Sequence, residues 1–230
     1  VNNTYELIEG VRLIDYPCVL KTCSNNENKG YVFLQGADQF PEASRIVEKS
    51  HCILEKFIPF DTEISIVVTR SIFGDISTFP IAQNLNRGSH LLMSIVPAEI
   101  TEEVRHKAEL MAKTMMRNLG FVGTLTIEMF VVGDEVLFNE MAPHPHNSGN
   151  YTIEGCHVSQ FGQHIRAITG LPLEDTSLIQ PVISVSFFGQ HINGVKELEK
   201  QSLPNVFVHD YLKSEIIEDS KMGHVTFLNF

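Results

Sequence analysis

Two glutamates, Glu128 and Glu140, lie on either side of a turn signal at Gly133 and Asp134. The flanking segments 124–132 and 135–141 alternate like strands, so the stretch predicts a β-hairpin. A two-residue turn would place Glu128 opposite Asn139 and send Glu140 to the other face. A three-residue loop, 133–135, would place the two glutamates directly opposite each other, with Cβ atoms about 4.5–5.5 Å apart.

An opposed pair of carboxylates is suited to holding a divalent cation. Two carboxylates this close repel each other unless a cation lies between them or one is protonated. Mg²⁺ takes oxygen ligands and keeps positions for substrate phosphates, and Asn139 can add a neutral oxygen. The alternative is that Glu128 and Glu140 are solvated carboxylates on an exposed strand face, where such residues are common.

Two lysines could contact phosphate groups. Lys21 ends a short apolar strand, and Lys29 lies in the polar, turn-rich segment that follows it. A flexible lysine and a strand-end lysine can act together as point charges on a phosphate chain. A lysine at a strand end is also a common device against edge-to-edge aggregation, and this alternative stays open.

A third candidate begins where the predicted strand 52–58 runs out at Pro59. A strand that ends in this way leaves backbone donors and acceptors that could recognise an adenine edge, and Glu63 could accept hydrogen bonds from ribose hydroxyls. Without further context, the ordinary reading of strand, proline turn and strand is favoured here.

Polar, proline and glycine residues crowd the segment 139–152, directly after a predicted strand. Such an irregular segment can bring its side chains together on a ligand. A rival interpretation makes His144 and His146 zinc ligands, supported by His157 and His164. Hard oxygen ligands dominate the segment, however, and they favour Mg²⁺ over Zn²⁺.

The composition excludes several classes of protein. Hydrophobic residues make up 43% and charged residues 20% of the 230 residues, which is typical of a globular chain. The formal net charge of −11 disfavours binding to nucleic acid or anionic membranes. The longest apolar runs, such as 129–132, fall far short of the roughly 20 residues that span a bilayer. The four scattered cysteines predict reduced thiols in a cytoplasmic protein.

The chain alternates between predicted strands and helices. The clearest helix begins after Thr101 and ends at Gly120, with acidic residues in its first turn and apolar residues at helical spacing. Two further helices are predicted over 38–49 and 155–169. Strands are predicted over 16–22, 31–34, 52–58, 63–69, 76–81 and 182–188. Weak boundary signals lie at 88–98 and after Pro172.

Several motifs carry a resemblance to a known family. The segment 139–152, N-E-M-A-P-H-P-H-N-S-G-N-Y-T, resembles the signature of the N5-carboxyaminoimidazole ribonucleotide synthetases, which are ATP-grasp ligases of purine biosynthesis. The segments F-V-G-T-L-T-I-E at 121–128, S-Q-F-G-Q-H-I-R-A at 159–167 and K-M-G-H-V-T at 221–226 also match that family. Y-P-C-V-L-K-T at 16–22 and F-P-I-A-Q-N-L-N at 79–86 fall in the expected order, so the resemblance extends over nearly the whole chain.

The resemblance implies an α+β architecture. It predicts an ATP-grasp fold of antiparallel sheets with flanking helices over 1–172, with a central lobe at about 1–58 and a second lobe at about 59–172. A small β-rich C-terminal domain is predicted over 173–230. The N-terminal α/β domain of the family is expected to be absent from this chain, which opens with Val1 rather than Met, and the opening residues are not expected to be a signal peptide.

The resemblance also assigns residues to ligands. It implies Mg–ATP binding with a metal held by Glu128 and Glu140, and catalytic roles for Lys21, Lys29, Glu128 and Glu140. The implied nucleotide-binding residues are Lys21, Lys29, Glu55, Lys56, Phe57, Ile58, Glu63, Asn86, Asn139 and Glu140. The implied substrate-binding residues are His146, Asn147, Ser148, Lys221 and His224.

The implied activity is ATP-dependent carboxylation of aminoimidazole ribonucleotide by bicarbonate, through carboxyphosphate, with release of ADP and phosphate. The alternatives are a nucleotide-binding module without turnover and another ATP-grasp ligase or transferase. The expected partners are small molecules, with neither nucleic acid nor membrane, and a homodimer is compatible with the family.

The chain departs from the family pattern at identifiable positions. The usually glycine-rich mobile loop reads N-N-E-N-K-G at 25–30. Elsewhere, less common residues replace Glu, His, Arg, His and Glu respectively: Gln83, Asn86, His144, Asn150 and Gly162. Replacing Arg by His removes a permanent bidentate donor, so these departures bear on turnover more than on fold.

Overall fold

The computed structural model describes residues 1–23, 31–88 and 90–229. Within these residues the chain forms two compact units, Val1–Pro59 and Phe60–Phe230. Mixed helices and antiparallel strands build both units, and the α+β fold class is confirmed. The domain boundaries at 58 and 172 stay predictions.

Unit 1 is a three-stranded antiparallel sheet covered on one face by helices. The strand order is β2-β1-β3, with β1 at Cys18–Thr22, β2 at Tyr31–Leu34 and β3 at Cys52–Lys56. Helices α1, Thr4–Ile14, and α2, Phe40–Val47, pack on the face that carries Leu20 and Leu34. The sequence pattern predicts α2 within 38–49 but not α1, whose first turn is capped by the Asn3 side chain accepting from the Glu6 amide.

Unit 2 is built on a nine-stranded sheet. Eight strands follow the order β11-β12-β10-β7-β6-β4-β8-β9, and β5 pairs with β4. The strand bounds are β4 Thr62–Arg70, β5 Ile76–Thr78, β6 Ala82–Arg87, β7 His90–Val96, β8 Gly123–Val132, β9 Glu135–Ala142, β10 Val182–Phe188, β11 Val206–Asp210 and β12 Lys221–Leu228. Because β7 pairs with both β6 and β10, the boundary signal at 88–98 is wrong.

Four helices flank this sheet. They are α3 Glu102–Leu119, α4 Thr152–Gly155, α5 Gln160–Thr169 and α6 Ile192–Lys200. Helix α3 confirms its predicted caps, since the Thr101 hydroxyl accepts from the Val104 amide and Gly120 takes a left-handed conformation with φ 60°. The single helix predicted over 155–169 is wrong, because Cys156 pairs with Leu178 and a new helix starts after Ser159.

The two faces of the large sheet differ in chemistry. One face buries Ile64, Ile66, Ile127 and Met129 beneath α3. The opposite face, here called the polar face, carries seven cross-strand neighbours or near neighbours: Glu63, Ser65, Asn84, Ser94, Glu128, Ser184 and Thr226. A buried row of hydroxyl, amide and carboxylate groups is unusual for a sheet interior, since buried polar groups need partners.

Candidate active site

The β8–β9 hairpin places Glu128 opposite Glu140, as the second predicted register requires. The three-residue loop predicted for that register is wrong, however. Val132 pairs with Glu135, so the turn has only two residues, 133 and 134. Gly133 has a φ of 58° at the first central position of this turn, a conformation that glycine adopts without steric cost.

A β-bulge between Glu128 and Met129 shifts the register by one residue, and this shift is what places Glu128 opposite Glu140. Met129 still faces Phe138, but Glu128 faces Glu140, so Asn139 is an extra residue on β9. Bulges re-aim side chains and are frequent beside functional sites. Here the bulge brings Glu140 to the polar face with Glu128 and leaves Asn139 between the two registers.

This set of oxygen donors fits a magnesium ion. Two opposed carboxylates and a neighbouring amide are hard ligands, and Mg²⁺ in nucleotide sites is typically held by one or two carboxylates with the remaining positions filled by water and phosphate. Among residues 1–23, 31–88 and 90–229, no group of three or more His, Cys, Asp or Glu side chains could hold a metal. The remaining ligands would therefore come from the nucleotide and water.

His146 extends the acid pair toward the segment after β9. Its Nδ1 lies 3.4 Å from Glu128 Oε1 and 3.0 Å from the Ser148 hydroxyl. Ser148 is fully buried, so it orients His146 rather than facing a cavity. Gln160 holds the backbone of His146 from both sides, accepting from its N–H at 3.0 Å and donating to its carbonyl at 2.7 Å.

Glu63 and Asn86, both predicted nucleotide residues, contact each other. The Asn86 amide nitrogen donates to Glu63 Oε1 at 2.7 Å. Glu63 lies on β4 and is buried, whereas Asn86 is exposed on β6. A buried carboxylate needs such a donor because burial without one is costly.

In unit 1, Lys21 and Glu55 form an ion pair on the sheet face away from the two helices. Lys21 Nζ lies 2.7 Å from Glu55 Oε2, and the pairing of Val19 with Glu55 makes the two charged residues diagonal neighbours. Lys56 lies on the helix face instead, where its ammonium donates to the Ile14 carbonyl at 3.0 Å.

For the remaining predicted residues of unit 1, the structure gives fewer contacts. The Phe57 N–H donates to the Pro17 carbonyl at 3.1 Å, and the adenine contact expected of 55–58 stays a prediction. Lys29 lies outside the described residues.

A cavity of about 360 Å³ lies in unit 2 beside the segment after β9. Its lining includes the predicted substrate residues His146, Asn147 and His224. It also includes Asn150, His209 and Tyr211, which the sequence analysis did not assign to ligand binding. No strand was predicted over this part of the chain, although His209 lies on β11 and Tyr211 directly follows it.

Lys221 and His224 share the polar face because of a second bulge. Gly223 pairs with Phe187 but Lys221 pairs with Phe188, so Met222 is the extra residue on β12. Burial lowers the pKa of Lys221 to about 8, since desolvation disfavours the ammonium form. Burial also lowers the pKa of His224 to about 3, with smaller contributions from His209 and Lys221.

Four orphan polar atoms lie on the polar face. Asn84 Nδ2, Thr126 Oγ1, His224 Nε2 and Thr226 Oγ1 are buried and have no hydrogen-bond partner in the described part of the chain. Buried polar groups are almost always paired with protein, water or ligand. Their common location indicates that this face contacts water or ligand.

The zinc alternative is wrong for the described residues. His144 is exposed and its Nδ1 lies 2.9 Å from the Pro145 carbonyl, while His164 Nδ1 accepts from the Thr124 amide at 3.0 Å. These histidines are engaged in separate places, and no three-residue metal group exists among residues 1–23, 31–88 and 90–229.

The comparisons with known proteins agree with this fold. A family model of the ATP-grasp domain matches residues 1–161, so the chain belongs to the ATP-grasp family. A second model, the phosphoribosylaminoimidazole carboxylase C-terminal domain, matches residues 187–229. Similarity to the synthetase family predicted from the motifs is thereby confirmed.

Individual relatives and solved structures show which members of the family the chain is similar to. The chain is 41% identical to N5-carboxyaminoimidazole ribonucleotide synthase of Bacillus subtilis, over 99% of this chain and 60% of that protein. A crystal structure of an N5-carboxyaminoimidazole ribonucleotide synthetase with ADP superposes with a TM-score of 0.95 at 44% identity, covering 100% of this chain and 61% of the other. The Aspergillus clavatus synthase, solved with ADP and aminoimidazole ribonucleotide, has a TM-score of 0.89 at 28% identity, covering 99% and 61%.

The chain thus spans about 60% of the length of the curated relatives it matches. Within residues 1–23, 31–88 and 90–229, no helix has the length and apolar character needed to cross a membrane.

Proposed function

We propose that this protein is an ATP-dependent ligase that carboxylates aminoimidazole ribonucleotide with bicarbonate, releasing ADP and phosphate. The observation that carries the proposal is the opposed pair of Glu128 and Glu140, set on the polar face by a bulge, in a chain that is similar over its whole length to synthetases of that reaction.

Glu128, Glu140 and Asn139 are the proposed holders of Mg²⁺. A Mg²⁺ ion held by these residues would supply positive charge to offset the negative charge that develops during phosphoryl transfer. The contact of His146 with Glu128 orients that carboxylate, and Ser148 orients His146 in turn. The protein thus holds the carboxylates in place before any ligand arrives, which limits reorganisation during the reaction.

Other residues are proposed to bind the nucleotide. Lys21 is the proposed cation for the phosphates, and its ion pair with Glu55 keeps the ammonium at a fixed position on the sheet face. Glu63, oriented by Asn86, is the proposed acceptor for ribose hydroxyls. Lys29 and the backbone of 55–58 keep the roles that the family resemblance implies.

The cavity beside His146 is the proposed seat of the ribonucleotide. His146, Asn147 and His224 line it, and Lys221 shares the polar face with His224. In the proposed reaction ATP phosphorylates bicarbonate to carboxyphosphate, whose carbon is then attacked by the substrate amine. The neutral imidazole of His224 suits this step, because it can donate a hydrogen bond to the substrate without protonating the attacking amine.

The test combines binding and turnover. Calorimetric titration with Mg–ATP, followed by phosphate release with aminoimidazole ribonucleotide and bicarbonate, is expected to show both activities. Glu140→Gln removes one charge of the acid pair and is expected to reduce phosphate release at least 100-fold, in line with the loss of a positioned electrostatic group. Glu135→Gln, on the same strand but paired with Lys107 at the surface, is the matched control and is expected to retain activity.

The outcomes separate the alternatives. Binding of Mg–ATP without phosphate release under any condition would indicate a nucleotide-binding module. Release that requires formate and glycinamide ribonucleotide instead of bicarbonate would indicate another ATP-grasp enzyme. Absence of Mg–ATP binding would contradict the proposal outright. Association into a homodimer and a cytoplasmic location stay predictions, the first of which sedimentation velocity can check.

A further inference from the structure

His224 is buried on β12 with its two ring nitrogens in different surroundings. Nδ1 lies 3.3 Å from the Asn150 amide nitrogen and 3.0 Å from the Tyr211 hydroxyl. Nε2 is buried and has no hydrogen-bond partner in the described part of the chain, although the ring lines the cavity. A buried, unpartnered ring nitrogen at a cavity wall indicates contact with a ligand or water.

A chain of amides determines which end of the Asn150 side chain meets His224. Gln160 is clamped by His146, because its Oε1 accepts from the His146 N–H and its Nε2 donates to the His146 carbonyl. The same Nε2 donates to Asn150 Oδ1 at 3.4 Å. The Asn150 oxygen is therefore used as an acceptor, and its nitrogen must face His224 and Tyr211.

This orientation selects one tautomer of His224. The Asn150 nitrogen is a donor only, so Nδ1 must accept, and the ring proton then lies on Nε2. The Tyr211 hydroxyl accepts from Asn150 at 3.0 Å and can donate to Nδ1, so every contact pairs a donor with an acceptor. The other tautomer would bring two donors together, at Nδ1 and at the Asn150 nitrogen.

The ring also stays neutral at physiological pH. The pKa of His224 is lowered to about 3 by burial first and by His209 and Lys221 next. The groups that face it are His209, stacked at 4.4 Å between ring centroids, Tyr211 and Lys221, with Glu154 bonded to the far side of His209 at 2.6 Å. Burial raises the pKa of Tyr211, so its hydroxyl stays protonated.

We infer that Asn150 is a positioning residue which, oriented by Gln160, fixes His224 as a neutral imidazole whose Nε2–H donates to an acceptor atom of the ligand in the cavity. The inference rests on the proposed function only for the identity of that ligand, the ribonucleotide. It gives a role to Asn150, one of the positions where the sequence departs from the family pattern.

The test is NMR of protein labelled with ¹³C and ¹⁵N in histidine, since these chemical shifts distinguish the two tautomers and the imidazolium. The wild-type protein is expected to show His224 with its proton on Nε2 and no titration between pH 5 and 8. Asn150→Asp places an acceptor at Nδ1 and is expected to move the proton to Nδ1 and to bring the titration into that range. Asn118→Asp, the same change on the exposed face of α3, is the control and should leave the spectrum of His224 unchanged.

A second variant and a kinetic measurement sharpen the test. Tyr211→Phe should retain the Nε2–H tautomer, because Asn150 and not Tyr211 selects it. Asn150→Asp should raise KM for aminoimidazole ribonucleotide about tenfold or more, as expected when an acceptor atom of the ligand loses its buried donor.

Two results would overturn the inference. One is a wild-type His224 with its proton on Nδ1, and the other is a loss of the Nε2–H tautomer in Tyr211→Phe. The wild-type spectrum requires neither turnover nor any variant to fold, so a failure of the proposed reaction would be recognised separately.

Discussion

At the scale of single residues, charged and polar side chains gather on one face of the large sheet. Glu128 and Glu140 lie opposite each other, His146 lies 3.4 Å from Glu128, and Lys221 shares the polar face with His224. Two of these arrangements are costly without a ligand, because the opposed carboxylates repel each other and the Lys221 ammonium loses hydration on burial. Such costs are usual at functional sites, where stability is traded for activity.

The lowered pKa of Lys221 illustrates this cost. Its folded pKa of about 8 lies below the ordinary value of 10.5, so the unfolded chain binds its proton more tightly. The ammonium therefore destabilises the fold fully below pH 8, and the penalty disappears as pH rises toward 10.5. Lys221→Met is expected to raise the free energy of unfolding by about 2–3 kcal/mol at pH 7, less near pH 10, while weakening substrate binding.

Denaturant unfolding at several pH values checks this expectation. Lys196→Met, on the exposed face of α6, is the matched control and should change stability by less than about 0.5 kcal/mol. An equal or lower stability of Lys221→Met at pH 7 would show that the ammonium is not a burden to the fold.

At the scale of elements, the short helical turn Asn147–Gly149 packs the segment after β9 against the polar face. Gly149 is buried, and a Cβ atom there would clash with Gln160 Oε1 and lie 2.8 Å from Val67 Cγ2. The glycine is required by this close approach, since protein interiors have no spare volume at such contacts. The same approach holds Gln160, which orients both His146 and Asn150.

Gly149→Ala should therefore destabilise the protein by about 1–3 kcal/mol through overpacking. It should also disturb the Nε2–H tautomer of His224, because Gln160 would have to move. Thermal unfolding and the histidine spectrum measure the two effects. Gly194→Ala, in α6 with no atom near its new Cβ, should instead stabilise by about 0.5–1 kcal/mol. A Gly149→Ala protein as stable as wild type would contradict the packing argument.

The two bulges belong to the same scale. One bulge, at Asn139, brings Glu140 to the polar face, and the other, at Met222, brings Lys221 there. Side chains alternate along a regular strand, so a one-residue irregularity is enough to change which face a residue occupies. Neither bulge is visible in hydrophobic patterns, because each affects a single residue.

At the scale of the whole molecule, a ligand that binds only the folded state must stabilise it. Mg–ATP at about 100 times its Kd is expected to add about 2.7 kcal/mol, or a rise in Tm of roughly 5–10 °C for a chain of this size. ATP with EDTA should give a smaller shift, because the acid pair repels phosphates when no cation is present. Differential scanning fluorimetry makes the comparison.

Glu140→Gln supplies the control for this measurement. With one carboxylate removed, the difference between Mg–ATP and ATP with EDTA should shrink, while Glu135→Gln should behave like wild type. Identical shifts in Mg–ATP and in ATP with EDTA would show that the metal has no part in binding.

Elements whose determinants lie within their own sequence were predicted well, and elements that depend on distant contacts were not. Helix α3 was predicted closely, since Thr101, Gly120 and an apolar stripe all act within the helix itself. Strand β6 was missed because its sequence, A-Q-N-L-N-R, has no β-branched residue, and only its place between β4 and β7 makes it a strand. The long helix predicted over 155–169 was interrupted by the pairing of Cys156 with Leu178, a contact between distant parts of the chain.

The same distinction between local sequence and distant contacts applies to the candidate site. The sequence by itself determined the family and supplied Glu128, Glu140 and the other ligand residues as predictions, because residue types and motif spacing carry that chemistry. Only the tertiary structure decided that a bulge rather than a longer turn opposes Glu128 and Glu140, that Lys56 points away from Lys21, and that Asn150, His209 and Tyr211 surround His224. These facts depend on register and on contacts between distant strands, which local sequence does not encode.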